Sequence, residues 1–379
     1  MKYINRVLEE TLKKHIKIFS AVGVTGPRQS GKSTMLLNMF KDKYEYISFD
    51  DINNIEYFHR DPEGFMNRYN DKIIFDEVQY VPEIFNYIKI LIDKRREKRG
   101  KFIITGSSQF AFVQKITESL AGRIGLLTLL PFQYSEIPDK YKKASMYRGS
   151  YPELSFLKYR NTDLWYSSYI NTYLEKDVRN ISNIGDLRDF LSFIKLLGAR
   201  VSQILNLSEI SKEIGIAVST AKRWISILEA SYIIFLLPPY HSNIGKRIIK
   251  SPKIYFFDTG LPVYLMGLYN TNIEKTHVAG PLFENYIISE FLKKEIHKKS
   301  NSGFYYLRTS NGVEADLIIT KAGKRHFYEI KGSSTFKSNM LKGIESLKSK
   351  NEPASLIYKG KDFSYGDTLN ILNYSTILK

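Results

Sequence analysis

Gly26-Pro27-Arg28-Gln29-Ser30-Gly31-Lys32-Ser33 is the stretch whose reading decides the fold. It satisfies G-x-x-x-x-G-K-[ST] at every fixed position, and Thr34 follows it. Polyphosphate needs several backbone N–H groups aimed inward, and a glycine-bearing loop lets the main chain come that close. Lys32 would reach the β- and γ-phosphates as a point charge. Ser33 would put a hydroxyl on Mg²⁺, and a helix opening near Gly31 would aim its positive end at the phosphates. The flanks suit this. Ser20 to Thr25 is a short apolar run that reads as a buried strand, and Met35 to Phe40 reads as a helix. Strand, loop and helix are the required order; the alternative is a glycine-rich turn with a chance lysine.

Outward from the loop, residues 4–16 have apolar positions near helical spacing. Tyr46 to Asp51 reads as a strand ending in acids, and Lys72 to Glu77 as the next strand. Val81 to Arg95 reads as a helix with Pro82 in its first turn. Lys101 to Ser108 is an apolar strand running into a small polar loop, and Leu126 to Leu130 is a fifth strand. Strands alternating with helices predict an α/β fold with a parallel sheet covered on both faces. Ligands of such sheets bind at the carboxyl ends of strands. Asp76 and Glu77 fall there, as do Ser107 and Ser108. Asp76 would hold Mg²⁺ beside Ser33, and Glu77 would polarise an attacking water as general base. The alternative is a solvated pair of acids at a strand end. Ser107 or Ser108 stands where a γ-phosphate sensor would.

The chain has 379 residues, which allows two to four domains. Its net charge of +17 favours a polyanionic partner, nucleic acid foremost, although a lysine-rich proteome would leave the same imprint. There is no cysteine, so disulfides, thiolate zinc sites and thiol nucleophiles are excluded together. The six histidines have no ligand spacing. Met1 to Lys17 is studded with charge and lacks the apolar run of a signal peptide. The run Tyr232 to Leu237 is too short to cross a bilayer. The expectation is a soluble, cytoplasmic protein with no membrane partner.

From Pro131 the pattern changes. Residues 134–197 read as mostly helical and aromatic-rich. Leu207 to Gly215 reads as a helix capped by Ser208 and closed by Gly215. Ser219 to Leu228 reads as the next helix, with a strand at 233–237 after it. That order suggests a winged helix-turn-helix, with Ser219, Thr220, Lys222 and Arg223 facing a DNA groove or phosphates. Such units also serve as protein-contact or spacer modules. Trp224 reads as core.

Farther on, Glu284 lies on a predicted helix, Asp316 on a strand, and Glu329-Ile330-Lys331 on the next strand. This set resembles the PD-(D/E)xK nuclease fold. In Glu-x-Lys both side chains share one strand face. Glu284, Asp316 and Glu329 would hold Mg²⁺, and Lys331 would orient the attacking water. Ala315 stands where that superfamily loosely keeps a proline. A surface ion pair or an inactive scaffold are the competing readings.

Gly26 to Ser33, Phe75 to Gln79, Thr105 to Ser108 and Leu120 to Arg123 together resemble the AAA-type ATPases of an archaeal and bacterial family with an uncharacterised C-terminal domain. The resemblance continues through Tyr173 to Asp177, Phe257 to Leu261 and Leu282 to Asn285, so it spans nearly the whole chain. It implies ATP and Mg²⁺ as cofactors. Gly26 through Thr34, Asp76 and Ser107 would bind them, and Lys32 and Glu77 would be catalytic. By the same resemblance Arg123 looks like an arginine finger that stabilises γ-phosphoryl charge from a neighbouring subunit or domain. A helix cap or a plain ion pair is the alternative. A finger acting in trans requires a homo-oligomer. The implied layout is a P-loop ATPase domain at 1–133, a helical lid at 134–197, a winged helix-turn-helix at 198–240 and a nuclease-like domain at 241–379. The function this predicts is a Mg²⁺-dependent ATP hydrolase that remodels DNA. Alternatives are an ATP-gated DNA endonuclease in repair or defence, and a slow nucleotide switch that assembles protein partners.

Overall fold

The computed structural model describes residues 3–106, 119–173, 187–240, 251–309, 311–366 and 368–379. Two compact units divide the chain. One holds residues 1–132 with 230–232 and 297–299, and the other holds the remainder.

The first unit is built on strands β1 (Ala21–Thr25), β2 (Glu45–Ser48), β3 (Ile73–Asp76), β4 (Phe102–Thr105) and β5 (Ile124–Thr128). They form one sheet in the order β2-β3-β4-β1-β5, and every neighbouring pair is parallel. Every residue of β1, β3 and β4 is buried, as expected of strands covered on both faces. Successive side chains feed two separate cores. Ile73, Phe75, Phe102 and Ile104 pack with Phe49, Phe58 and Phe65. Val22, Val24, Ile74 and Ile103 pack with Leu8, Leu12, Met35 and Leu36. The covering helices are α1 (Leu8–Ile18), α2 (Lys32–Phe40), α3 (Ile52–Arg60), α4 (Pro62–Arg68) and α5 (Ile84–Lys94).

Two boundaries differ from the sequence reading. The acids after β2 leave the strand, because the Asp51 carboxylate accepts from the Asn53 amide and opens α3. A 3-10 turn at Val78–Tyr80 precedes α5, so Pro82 lies ahead of that helix rather than in its first turn.

In the second unit the helices that matter here are α6 (Thr162–Tyr173), α7 (Leu187–Ala199), α8 (Leu207–Ile214), α9 (Val218–Ala230) and α10 (Ala279–Lys298). Leu174 to Asp177, part of the family resemblance, lies outside the described residues. Tyr151, Tyr166, Tyr169, Phe190, Phe193 and Trp224 share one core. β6 (Ile234–Leu237) pairs antiparallel with β7 (Lys253–Phe256). This ladder crosses the boundary expected between 240 and 241, because β7 completes the partner strand that β6 needs.

A mixed sheet follows in the order β12-β13-β11-β10-β9-β8, made of β8 (Gly303–Arg308), β9 (Glu314–Lys321), β10 (Lys324–Ile330), β11 (Ala354–Tyr358), β12 (Phe363–Ser364) and β13 (Leu369–Asn373). β8, β9 and β10 run antiparallel, whereas β10, β11 and β13 run parallel. Between β10 and β11 the chain forms a 3-10 turn, Ser338–Leu341, and a short helix, Lys342–Leu347.

Candidate functional site

The loop from Gly26 to Ser33 leaves the carboxyl end of β1. Gly26 has φ 138°, and a Cβ there would meet the Leu129 carbonyl oxygen at 2.1 Å. Gly31 has φ 91°, and Gln29, not a glycine, also lies in the left-handed region. Such strain in a short loop is characteristic of ligand-gripping segments. Pro27 and Ser30 are buried, Arg28 is half-buried, and Gln29 and Thr34 are exposed. Lys32 opens α2, is buried, and donates from Nζ to the Gly26 and Pro27 carbonyls, each at 3.1 Å. The hydroxyls of Thr25 and Ser30 are buried with no hydrogen-bond partner. Arg6, buried, clamps the loop from outside it. Its Nη1 donates to the Ser30 carbonyl at 2.7 Å and its Nη2 to the Leu130 carbonyl at 2.6 Å.

Three hydroxyls converge on the buried carboxylate of Asp76 at the end of β3. Ser33 Oγ donates to Oδ2 at 2.7 Å, Tyr46 also donates to Oδ2, and Thr105 donates to Oδ1. Burial, then the Asp76 bond, pushes the Tyr46 hydroxyl up, so it remains a donor. Glu77 sits next along at φ 54°, and its carboxylate accepts from the Gln79 side chain. Ser107 and Ser108 lie outside the described residues.

Arg123 is elsewhere. Residue 124 pairs with Ala21 at the amino end of β1, whereas the loop leaves the carboxyl end. Four strand rises separate the two ends, on the order of 13 Å. Arg123 therefore cannot serve the loop of its own chain. Its Nε and Nη2 grip the two oxygens of Asp93 at 2.8 and 2.9 Å, a bidentate pair that holds Asp93 below the usual carboxylate range. Arg96 and Arg99 line the same recess, a cavity of about 450 Å³.

In the helix pair, α8 is capped by Asn206, whose side chain accepts from the Glu209 amide. Ser208, the expected cap, already lies one residue inside the helix. Gly215 closes α8 in the left-handed region. Ser219, Lys222 and Arg223 on α9 are exposed and Thr220 is half-buried. Trp224 on the opposite face is buried edge-on against Phe190 and Phe193.

At the carboxyl-terminal sheet, Glu284, Asp316, Glu329 and Lys331 do come together, with two residues that the sequence did not suggest. Lys253 Nζ lies 3.0 Å from Glu284 Oε1, and Tyr255 donates to that same oxygen at 2.6 Å. Lys331 pairs with Glu329 and stands 3.6 Å from Asp316. Burial and the Asp316 charge raise Glu284 to about 7 and Glu329 to about 8. Among the described residues no three His, Asp or Glu side chains are grouped so as to hold a metal ion. The expected Mg²⁺ ligands are thus gathered around lysine ammonium groups instead. Among the same residues no helix is long and apolar enough to cross a membrane.

Residues 19–138 match the family model described as an AAA domain. Residues 138–272 and 279–377 match two models described as domains of unknown function, DUF8612 and DUF4143. The chain is 29% identical over 316 residues to the uncharacterized proteins Mb2031c of Mycobacterium bovis and Rv2008c of Mycobacterium tuberculosis. Those alignments cover 82% of this chain and 70% of each relative. The Walker-type ATPase PABY2304 of Pyrococcus abyssi superposes with a TM-score of 0.49 at 14% identity, over 68% of this chain and 94% of that one. The match over residues 19–138, with the loop and strand-end residues described above, supports a P-loop domain of the AAA type in the amino-terminal unit.

Proposed function

We propose that this chain is a Mg²⁺-dependent ATP hydrolase that acts on DNA. The observation that carries the hydrolase is the meeting of Ser33 with Asp76 beside the buried Lys32, in a loop whose Gly26 leaves no room for a side chain. The donor set fits the group it would bind. Lys32 holds two backbone carbonyls that it would exchange for phosphate oxygens. Ser33 and Asp76 would hold Mg²⁺, all-oxygen ligands suited to that ion. When bound, the ion neutralises charge building on the β- and γ-phosphates.

Glu77 would take the proton of the attacking water, and the Gln79 side chain donates a hydrogen bond to its carboxylate. Arg123 would complete the site of a neighbouring copy, which makes the working form a homo-oligomer. DNA contact is assigned to the exposed face of α9, where Ser219, Lys222 and Arg223 line up at helical spacing, with Thr220 at its margin. The net charge of +17 supports this assignment.

ATP turnover measured with and without single-stranded, duplex and branched DNA tests the reading. Turnover should rise several-fold with DNA, and Lys32→Ala should abolish it. Very slow turnover that DNA leaves unchanged would favour a nucleotide switch that captures protein partners.

A further inference from the structure

A nuclease with the carboxylate set of the carboxyl-terminal sheet would hold a divalent cation there. This chain supplies a cation of its own. Glu284 comes from α10, Glu314 and Asp316 from β9, and Glu329 from β10. Lys253, the first residue of β7, reaches in among them and is 5% exposed. Its Nζ lies 3.0 Å from Glu284 and bonds Glu314 as well. Tyr255, two residues on and so on the same strand face, fixes the shared Glu284 oxygen at 2.6 Å. Burial works against the ammonium, yet the charges of Glu284, Asp316 and Glu314 hold Lys253 above the ordinary lysine value. It stays a cation.

The remaining oxygens are largely spoken for. Asp316 Oδ2 accepts from the Ile330 amide at 2.8 Å, and Lys331 pairs with Glu329. One oxygen, Glu329 Oε2, is buried without a partner. Four carboxylates face Lys253, Lys331 and Arg308, which lies 3.7 Å from Glu314, so even with every carboxylate ionised the cluster would carry only one excess negative charge. A divalent ion entering here would meet the Lys253 ammonium head-on. Expelling that side chain would strand a buried charge.

We infer that Lys253 is the resident cation of this cluster, its ammonium held between Glu284 and Glu314 where a divalent ion would otherwise sit beside Asp316, so that the domain binds no catalytic metal and does not cut phosphodiesters. This holds whether or not the amino-terminal domain hydrolyses ATP. The positive role of the cluster is then a buried tie between the β6–β7 ladder and the carboxyl-terminal sheet.

The test is a Mn²⁺ titration of the nucleotide-free full chain, followed by electron paramagnetic resonance, in an Asp76→Asn background that silences the amino-terminal site. Plasmid DNA with Mn²⁺ or Mg²⁺ provides the cleavage assay. The parent protein should show no stoichiometric Mn²⁺ site below millimolar concentration and no nicking. Lys253→Met, which keeps the stem and removes the charge, should gain one site at least tenfold tighter, and adding Asp316→Asn should remove it. A micromolar Mn²⁺ site in the parent that Glu284→Gln or Asp316→Asn abolishes would overturn the inference, as would metal-dependent nicking. A folded Lys253→Met chain that gains no site would also overturn it. Should that variant fail to fold, the parent titration decides alone.

Discussion

Asp76 shows what a motif contains and what it leaves out. Ser33 reaches it within a fixed pattern, so that contact was legible in the sequence. Tyr46, 30 residues away, and Thr105, 29 residues away, reach it only because β2 and β4 flank β3. Arg6 at the loop and Lys253 at the far cluster were hidden for the same reason, since their partners lie 24 and 31 residues away or more. Tyr46 carries a prediction. Once a metal draws Ser33 away from Asp76, Tyr46 and Thr105 must keep the carboxylate aimed. A hydrogen bond to a charged group is worth roughly 1.5–3 kcal/mol. Tyr46→Phe should therefore raise the Mg²⁺ concentration for half-maximal ATP turnover by about tenfold or more. Affinity for ATP without Mg²⁺ should change little, because Lys32 and the loop amides are untouched. An unchanged Mg²⁺ dependence would remove Tyr46 from the site.

Whole elements were legible where one period dominates. The buried runs of β1, β3 and β4 and the helices α8 and α9 declare themselves through unbroken apolar stretches or a 3.6-residue repeat. β12 and β13 do not. β12 is two exposed residues, and β13 buries only Leu369 and Ile371 of its five, a pattern too brief to stand out. The cap of α8 was misplaced by two residues because asparagine and serine compete for that role, and only the Asn206 bond to the Glu209 amide decides. Two predictions belong to this scale. Lys222→Ala and Arg223→Ala should each weaken binding to duplex DNA of any sequence and reduce its salt slope by about one unit, as lost phosphate contacts do. Identical salt slopes before and after substitution would point to a protein-contact role for α9. The second concerns the carboxylate cluster, where Lys253, Tyr255, Asp316 and Lys331 face Glu284 and Glu329. Glu284 is raised to about 7 and Glu329 to about 8, from an ordinary 4.5. The folded chain thus holds protons that the unfolded chain releases between pH 4.5 and 8. Stability from these groups is present below that window and lost as pH rises through it. Glu329→Gln should flatten the fall of Tm between pH 5 and 8, and an unaltered slope would show that the carboxylate titrates normally.

At the scale of the whole molecule, the amino-terminal sheet has two ends with different chemistry. The carboxyl end presents the loop, Asp76 and Glu77, and the amino end presents Arg123, Arg96 and Arg99 around one recess. A parallel sheet separates these ends by its own length, so no side-chain rearrangement within one chain joins them. Arg123 is paired with Asp93, and in an assembly it would exchange that carboxylate for the phosphates of a neighbour. The sequence supplied the arginine but not this geometry, because the strand register that sets the two ends apart is a three-dimensional fact. The consequence is measurable by mixing. Lys32→Ala chains have an intact arginine and a dead loop, and Arg123→Ala chains have the reverse. Each alone should lose nearly all ATP turnover, by about a thousandfold where a finger acts in trans. Mixed in equal amounts and allowed to exchange, an interface works when an intact loop meets an intact arginine. Head-to-tail packing gives that pairing at about a quarter of interfaces. Turnover should accordingly recover to about a quarter of the parent rate, since each working interface acts independently. A mixture as inactive as its components, in assemblies shown by mass spectrometry to contain both chains, would mean that Arg123 does not act across an interface. Its pair with Asp93 would then be a structural one.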